Sequence, residues 1–155
     1  MDVDLSTDLS ALPTAVAAVD VEGYDFAIGS RFKRGARVIG RTVKREFFSR
    51  SYSLIFRSMF FSRFLDAQCG FKALNRRAAD EVVPLVVDDS WFFDTEMLLI
   101  AEKNGYRIKE IPIIWTDDPD SRVKIISTVI EDLKGLFRLR FGGLRRAGRA
   151  INRNR

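Results

Sequence analysis

Only three stretches of this chain read as β-strand, and helical patterns separate them. "YDFAIGS" is a short buried strand stopped by Gly29, and a second strand is centred on Phe71 to Leu74. "YRIKEIPIIW" alternates as a third, with Pro112 demoting it to an edge or bulged position because proline brings no N–H to a ladder. Strands alternating with helices imply an α/β sandwich. Three strands fall short of the roughly five or six of a typical sheet, so the sheet reads as incomplete.

The helical segments follow from spacing and punctuation. Capping residues precede an apolar run from about Asp8 to Val19, with Pro13 tolerated in a first turn. "RFKRGARVIGR" reads as a basic loop. From Arg41 to Leu65, Phe48, Tyr52, Ile55, Met59 and Phe60 recur at helical spacing while Lys44, Arg45, Arg50 and Arg57 fall mostly elsewhere, giving an amphipathic helix of unusual aromatic weight. That helix suits either a core or a bilayer surface. A further helix ends near Pro84, and "SWFFDTEMLLIAEKNG" opens on Ser90 as a cap and closes at Asn104-Gly105. "TDDPDSR" is a turn-rich loop before a second amphipathic helix, "VKIISTVIEDLKGLFRLRF". Residues 1–140 read as one domain; residues 141–155 are basic, offer too few apolar side chains to pack, and read as a mobile tail.

Composition narrows the chemistry. The chain has no histidine, so the commonest zinc ligand and general base is missing, and a single cysteine, Cys69, excludes an internal disulfide. A metal here would be held by oxygen, which points to magnesium, manganese or calcium. Apolar runs stop well short of the roughly 20 residues that cross a bilayer, and the first residues are acidic, so neither a membrane span nor a signal peptide is expected. Charge is segregated. Residues 1–29 carry six acids and no base, residues 31–63 ten bases against Glu46, and residues 134–155 eight bases and no acid. Such a distribution suits a cation and an anionic substrate held together, or a basic surface for anionic lipid.

Four short motifs carry candidate chemistry. Asp2 and Asp4 are two apart, which in an extended segment turns both carboxylates to one side where they can meet a hard cation, although acid pairs near a terminus are common. "IGSR" ends a strand with Ser30 and Arg31, an anion contact or simply a strand terminator before a surface arginine. "DAQCGFKAL" packs Asp66, Gln68 and Lys72 around Gly70, where a backbone can approach a ligand closely. "WFFDTE" sets Asp94 and Glu96 at a helix start, where the dipole favours carboxylates and capping alone is the plain account.

Taken in order, D-V-D-L-S-T-D-L, G-S-R, D-A-Q-C-G-F-K-A-L, W-F-F-D-T-E-M-L-L-I-A, G-Y-R-I-K-E-I-P-I-I-W and S-R-V make a chain that resembles the family-2 glycosyltransferases charging polyprenyl phosphates, the dolichyl-phosphate mannose and glucose synthases. The resemblance runs from Met1 to about Arg140, and the "QCGFK" and "WFFDTE" blocks lie somewhat closer to the glucose enzymes. It implies an incomplete GT-A-type mixed sheet with flanking helices, lacking the N-terminal nucleotide-binding half that precedes the D-x-D motif in that family. The expectation is a C-terminal portion that is inactive alone, either completed by a separate N-terminal half or catalytically dead.

By that resemblance Asp2 and Asp4 hold Mg2+ or Mn2+ on the diphosphate of a nucleotide sugar of the UDP-glucose or GDP-mannose class. Arg31 and Arg41 grip the polyprenyl or dolichyl phosphate acceptor or the diphosphate, Ser30, Gln68 and Lys72 line the substrate, and Ser121 and Arg122 close over it. Asp66, Asp94 and Glu96 are the catalytic candidates, positioning the sugar or the attacking group for transfer with inversion. The chain departs from some relatives at Ser6, where they carry a glutamine, and at Asp117, Asp118 and Pro119, where they carry arginines. Peripheral attachment to the anionic cytoplasmic face of a membrane is expected. A basic nucleic-acid-binding module is the rival reading; no recognition motif accompanies the basic blocks, so no nucleic-acid partner is expected.

Overall fold

The computed structural model describes residues 6–117 and 125–154. At its centre is β1 (Phe26–Ser30), buried at every position as a middle strand must be. β3 (Lys72–Leu74) runs antiparallel on one side, with Phe26 opposite Leu74 and Ile28 opposite Lys72. β4 (Ile108–Pro112) runs parallel on the other, from Phe26 beside Ile108 to Ser30 beside Pro112. The result is a mixed three-stranded sheet in the order β3-β1-β4 with helices on both faces, compatible with part of a GT-A fold.

Side-chain alternation along β1 divides the core. Phe26 and Ile28 enter the larger cluster, with Phe56, Phe92, Leu98 and Leu136, while Ala27 turns to a smaller one with Ala15, Ala18, Phe71, Ile113 and Trp115. The smaller cluster is covered by α1 (Leu12–Asp20), which follows a single 3-10 turn at Leu9–Ala11. The Asp8 carboxylate accepts the Ser10 N–H at 2.8 Å, and Pro13 lies in the first turn of α1.

α2 (Val43–Phe60) is capped by Thr42 and buries Tyr52, Ser53, Phe56 and Phe60. Of the aromatic stripe read from the sequence, Tyr52 and Phe60 are therefore core residues, whereas Ile55 faces out with Val43, Phe47, Leu54 and Phe61. α3 (Arg76–Val82) is capped by Asn75, whose side chain accepts the Ala78 N–H at 2.7 Å, and Pro84 follows in a 3-10 turn. α4 (Phe93–Lys103) buries all of Thr95 to Ala101 and stops at Gly105, whose φ of +82° is the left-handed stop the sequence predicts. α5 (Ile125–Arg138) leads through a π turn at Leu139–Gly143 into α6 (Leu144–Asn154).

Three expectations are corrected. The "RVI" of the basic loop forms β2 (Arg37–Ile39), which pairs in parallel with β5 (Ile114–Thr116) as a second, two-stranded sheet. Its signal is faint because the strand is three residues long and only Val38 faces inward. The third predicted strand correspondingly divides after Pro112 into β4 and β5. Ser90 is not the cap of α4: Phe92 occupies that position, and Ser90 contributes only its carbonyl, accepting the Phe93 N–H at 3.2 Å. Residues 144–154 are packed, since Ala147 and Ile151, four apart on one side of α6, are buried in the larger cluster. Two small contacts suffice because α4 lies directly beneath and the arginines project outward.

Candidate active site

In a parallel pair, ligands gather beyond the carboxyl ends of the strands, where the chain leaves the sheet. Gly29 and Ser30 occupy that end of β1, and Arg31 follows. A Cβ on Gly29 would come within 3.1 Å of Cys69 Sγ and 3.2 Å of Phe71 Cβ, so the glycine lets the "DAQCGFK" segment close onto the strand. This contact brings two motifs 35 residues apart together.

Arg31 and Asp66 form the centre of the site. The guanidinium donates from Nε to Asp66 Oδ2 at 2.7 Å and from Nη2 to Oδ1 at 2.8 Å, and the Arg31 N–H adds a third bond at 3.0 Å. The Asp66 side chain is only 2% exposed. Burial pushes its carboxyl upward, but the charge and hydrogen bonds of Arg31 outweigh that and hold it below the ordinary range. The Leu65 and Asp66 N–H groups donate to Glu110 Oε1 at 2.8 and 3.2 Å, tying the segment to β4. The free face of Arg31 lies over the Trp115 ring at 5.1 Å.

Arg41 approaches from the N-terminal side of α2. Its side chain is 8% exposed, donates from Nη2 to Ser49 Oγ at 2.6 Å and pairs from Nη1 with Glu46 Oε2 at 3.3 Å, while Nε has no hydrogen-bond partner among the described residues. Burial and then the like charge of Arg31 make this guanidinium less firmly protonated than usual. Ser30 Oγ and Trp115 Nε1 are also buried without a hydrogen-bond partner. Buried polar atoms are nearly always paired, so Arg41 Nε, Ser30 Oγ and Trp115 Nε1, unpaired among the described residues, mark a candidate place for an anion.

Gln68 and Lys72 extend the site along the same segment. Gln68 Nε2 donates to Asp132 Oδ2 at 2.7 Å, and burial pushes the Asp132 carboxyl up to about 6. Lys72 Nζ pairs with Asp94 Oδ2 at 2.8 Å and donates to the Cys69 carbonyl. Burial also pushes the Cys69 thiol up to about 11, which removes it as a nucleophile at neutral pH.

Asp94 and Glu96 do not meet. Two residues apart on a helix point to different sides, so Asp94 turns to Lys72 and Glu96 into the core. Glu96 Oε2 accepts from Val87 N at 3.3 Å, Asp88 N at 2.9 Å and Arg138 Nη2 at 2.8 Å. It holds the 87–88 turn and α5 onto α4. Asp2, Asp4, Ser121 and Arg122 lie outside the described residues. Beside the site, Ser6 and Thr7 are buried: the Ser6 carbonyl accepts the Thr116 N–H at 2.8 Å, and Thr7 bridges Trp115.

Sequence reasoning missed Trp115, Glu110 and Asp132. Asp132 had a signal: it lies on the helical face shared with Leu136 and Leu139, both buried, which forecasts a buried acid. Trp115 and Glu110 had none, since their roles depend on which strand lies beside β1.

No family model matches the chain. It is 39% identical over 129 residues to glycosyltransferase AglD of Haloferax volcanii, covering 83% of this chain and 20% of that protein. It is 28% identical over 147 residues to the dolichyl-phosphate β-glucosyltransferase of Saccharomyces cerevisiae, covering 89% of this chain and 44% of that one. Against the Dictyostelium discoideum protein of the same description the identity is 36% over 76 residues, 49% of this chain and 23% of that one. The chain thus spans between a fifth and under a half of the length of these curated relatives. Sequence similarity of this extent makes the chain a homologue of part of the dolichyl-phosphate glucosyltransferases and AglD, glycosyltransferases of the GT-A family 2 type.

Proposed function

We propose that this chain carries the acceptor side of a glycosyltransferase that moves a hexose from a nucleotide sugar to a polyprenyl or dolichyl phosphate with inversion. The observation that carries the reading is the pair of largely buried guanidinium groups at the carboxyl end of β1, one locked by Asp66 and the other, Arg41, with Nε unbonded among the described residues. A phosphate monoester would satisfy these N–H groups and neutralise the charge. Its second pKa is near 6, so at neutral pH it attacks largely ionised and needs no strong base. This suits Asp66, whose oxygens are committed to Arg31, and Glu96, which is committed to backbone and Arg138; both act as positioning residues. Catalysis then rests on orientation and charge neutralisation.

Among the described residues no group of three or more His, Cys, Asp or Glu side chains would hold a metal ion. The nearby carboxylates are engaged, Asp66 with Arg31 and Asp117 with Arg45 at 2.7 Å. By the resemblance we propose that Mg2+ or Mn2+ is held by Asp2 and Asp4, which lie outside the described residues. When bound, the cation would stabilise the departing nucleoside diphosphate. In this reading the nucleoside is gripped by residues beyond this chain, as its partial coverage of the relatives suggests, and the 155 residues alone transfer no sugar.

No helix among the described residues is long and apolar enough to cross a membrane. α2 nonetheless exposes Val43, Phe47 and Leu54 beside Lys44 and Arg50, which suits docking on an anionic bilayer surface close to a lipid-borne acceptor.

The test is titration of the chain with a short polyprenyl phosphate, read by Trp115 fluorescence in a Trp91→Phe background. The expected result is a saturable change that weakens about tenfold in Arg41→Gln, the loss of a charge-assisted contact. No change at Trp115, or equal affinity in Arg41→Gln, would overturn the assignment.

A further inference from the structure

A cleft of about 650 Å3 opens between the C-terminal turn of α2 and the outer edge of β4, away from Arg31 and Arg41. We infer that it binds a phosphate monoester through Lys33 and Arg63. Its lining carries four cations, Lys33, Arg63, Lys103 and Arg107, against two carboxylates, Glu102 and Glu110. The carboxylates already serve the backbone: Glu102 Oε1 accepts the Arg63 N–H at 2.7 Å, and Glu110 Oε1 accepts the Leu65 and Asp66 N–H groups. Two of the cations are also engaged, Arg107 with the Gly23 carbonyl and over the Tyr24 ring, and Lys103 with the Phe61 carbonyl. Lys33 and Arg63 have no ion-pair partner among the described residues, though both face this cleft. The surplus of two positive charges matches a phosphate monoester, which carries about −1.5 to −2 at neutral pH.

The rim supplies a second observation. Phe61 closes α2 as its left-handed C-cap at φ +51°, its N–H donating to the Arg57 carbonyl, and it stands 83% exposed at the mouth of the cleft. Its ring offers an apolar wall to the organic part of an ester whose phosphate reaches Lys33 and Arg63, with Tyr24 also lining the cleft.

Two sources supply this chemistry, a soluble phosphate ester and a lipid headgroup, and two arms separate them. One titrates the full chain with glycerol 3-phosphate; the other uses phosphatidylcholine vesicles containing phosphatidic acid, with phosphatidylglycerol vesicles of equal surface charge as reference. Saturable binding is expected in one arm, weakened about tenfold or more in Lys33→Gln/Arg63→Gln and under about twofold in Arg146→Gln/Arg153→Gln, which removes two exposed α6 charges. In Arg41→Gln binding read at the Tyr24 and Phe61 ring resonances should be unchanged while the Trp115 response of the acceptor site weakens, which separates failure here from failure of that site. In the unaltered protein the ring resonances of Tyr24 and Phe61 should shift on binding. No saturation in either arm, no shift of those rings, equal ring shifts in the Lys33→Gln/Arg63→Gln protein, or loss of the ring shifts in Arg41→Gln would overturn the inference.

Discussion

Asp66 and Glu96 are both buried carboxylates facing an arginine, yet their surroundings differ. Around Glu96 every contact closes: two N–H groups of the 87–88 turn and the Arg138 guanidinium converge on one oxygen. Around Asp66 the pair itself closes, but Arg41 Nε, Ser30 Oγ and Trp115 Nε1 are buried with no hydrogen-bond partner among the described residues. A satisfied polar network stabilises a scaffold, whereas an unsatisfied one costs stability that only a ligand recovers. The contrast separates two acids that the sequence groups together as catalytic candidates.

The largest expected effect tests the Asp66 side. Asp66→Ala leaves Arg31 buried and unpaired and should cost about 3–5 kcal/mol in chemical denaturation. A cost near zero would mean that Arg31 escapes to water and the pocket is not held as described. Next, Glu96→Gln keeps the shape but loses the charge opposite Arg138, for about 1–3 kcal/mol, and should leave the Trp115 titration untouched. If acceptor binding falls with it, Glu96 is no mere scaffold residue.

A smaller effect is pH-dependent and involves Asp132. Its folded pKa, about 6, lies above the ordinary carboxylate value of 3.8, so its protonated form favours folding. Stability from this group is present below about pH 4 and lost as pH rises to about 6; Asp66, held below the ordinary range, works in the opposite sense as pH falls. Asp132→Asn should flatten the first loss and stabilise the protein above pH 6 by on the order of 1 kcal/mol, measured by denaturation at a series of pH values. An unchanged profile would remove Asp132 as its source. Smallest of all, Arg41→Gln should be neutral or stabilising by less than about 1 kcal/mol without ligand, because it removes an incompletely paired buried charge. Clear destabilisation would place Arg41 with the scaffold.

The sequence made the long elements legible because their periodicity is strong: β1, α2 and α4 stand where apolar spacing put them. The cap at Asp8 and the stop at Gly105 were legible from residue type alone. β2 was not, since three residues cannot display a period. α6 was not, because its two buried side chains gain a partner only after α4 is in place. At the site, Arg31 and Asp66 were named as candidates but not as a pair, a contact across 35 residues that depends on Gly29. The division between Asp94 and Glu96 follows from helix geometry and was legible in principle. The unbonded atoms of Arg41, Ser30 and Trp115 belong to no local pattern and emerge only from packing.

Gly135 has a consequence for the mechanics of the whole arrangement. A methyl group there would stand 2.4 Å from the Phe92 ring, so α5 sits on that ring with no room to roll or slide. Asp132 and Arg138 lie three residues to either side, on the same flank of the helix, reaching Gln68 and Glu96 respectively. One bare backbone position therefore acts as an index mark, setting the rotational phase of a rod whose two ends address the Gln68 turn and the Glu96 anchor at once.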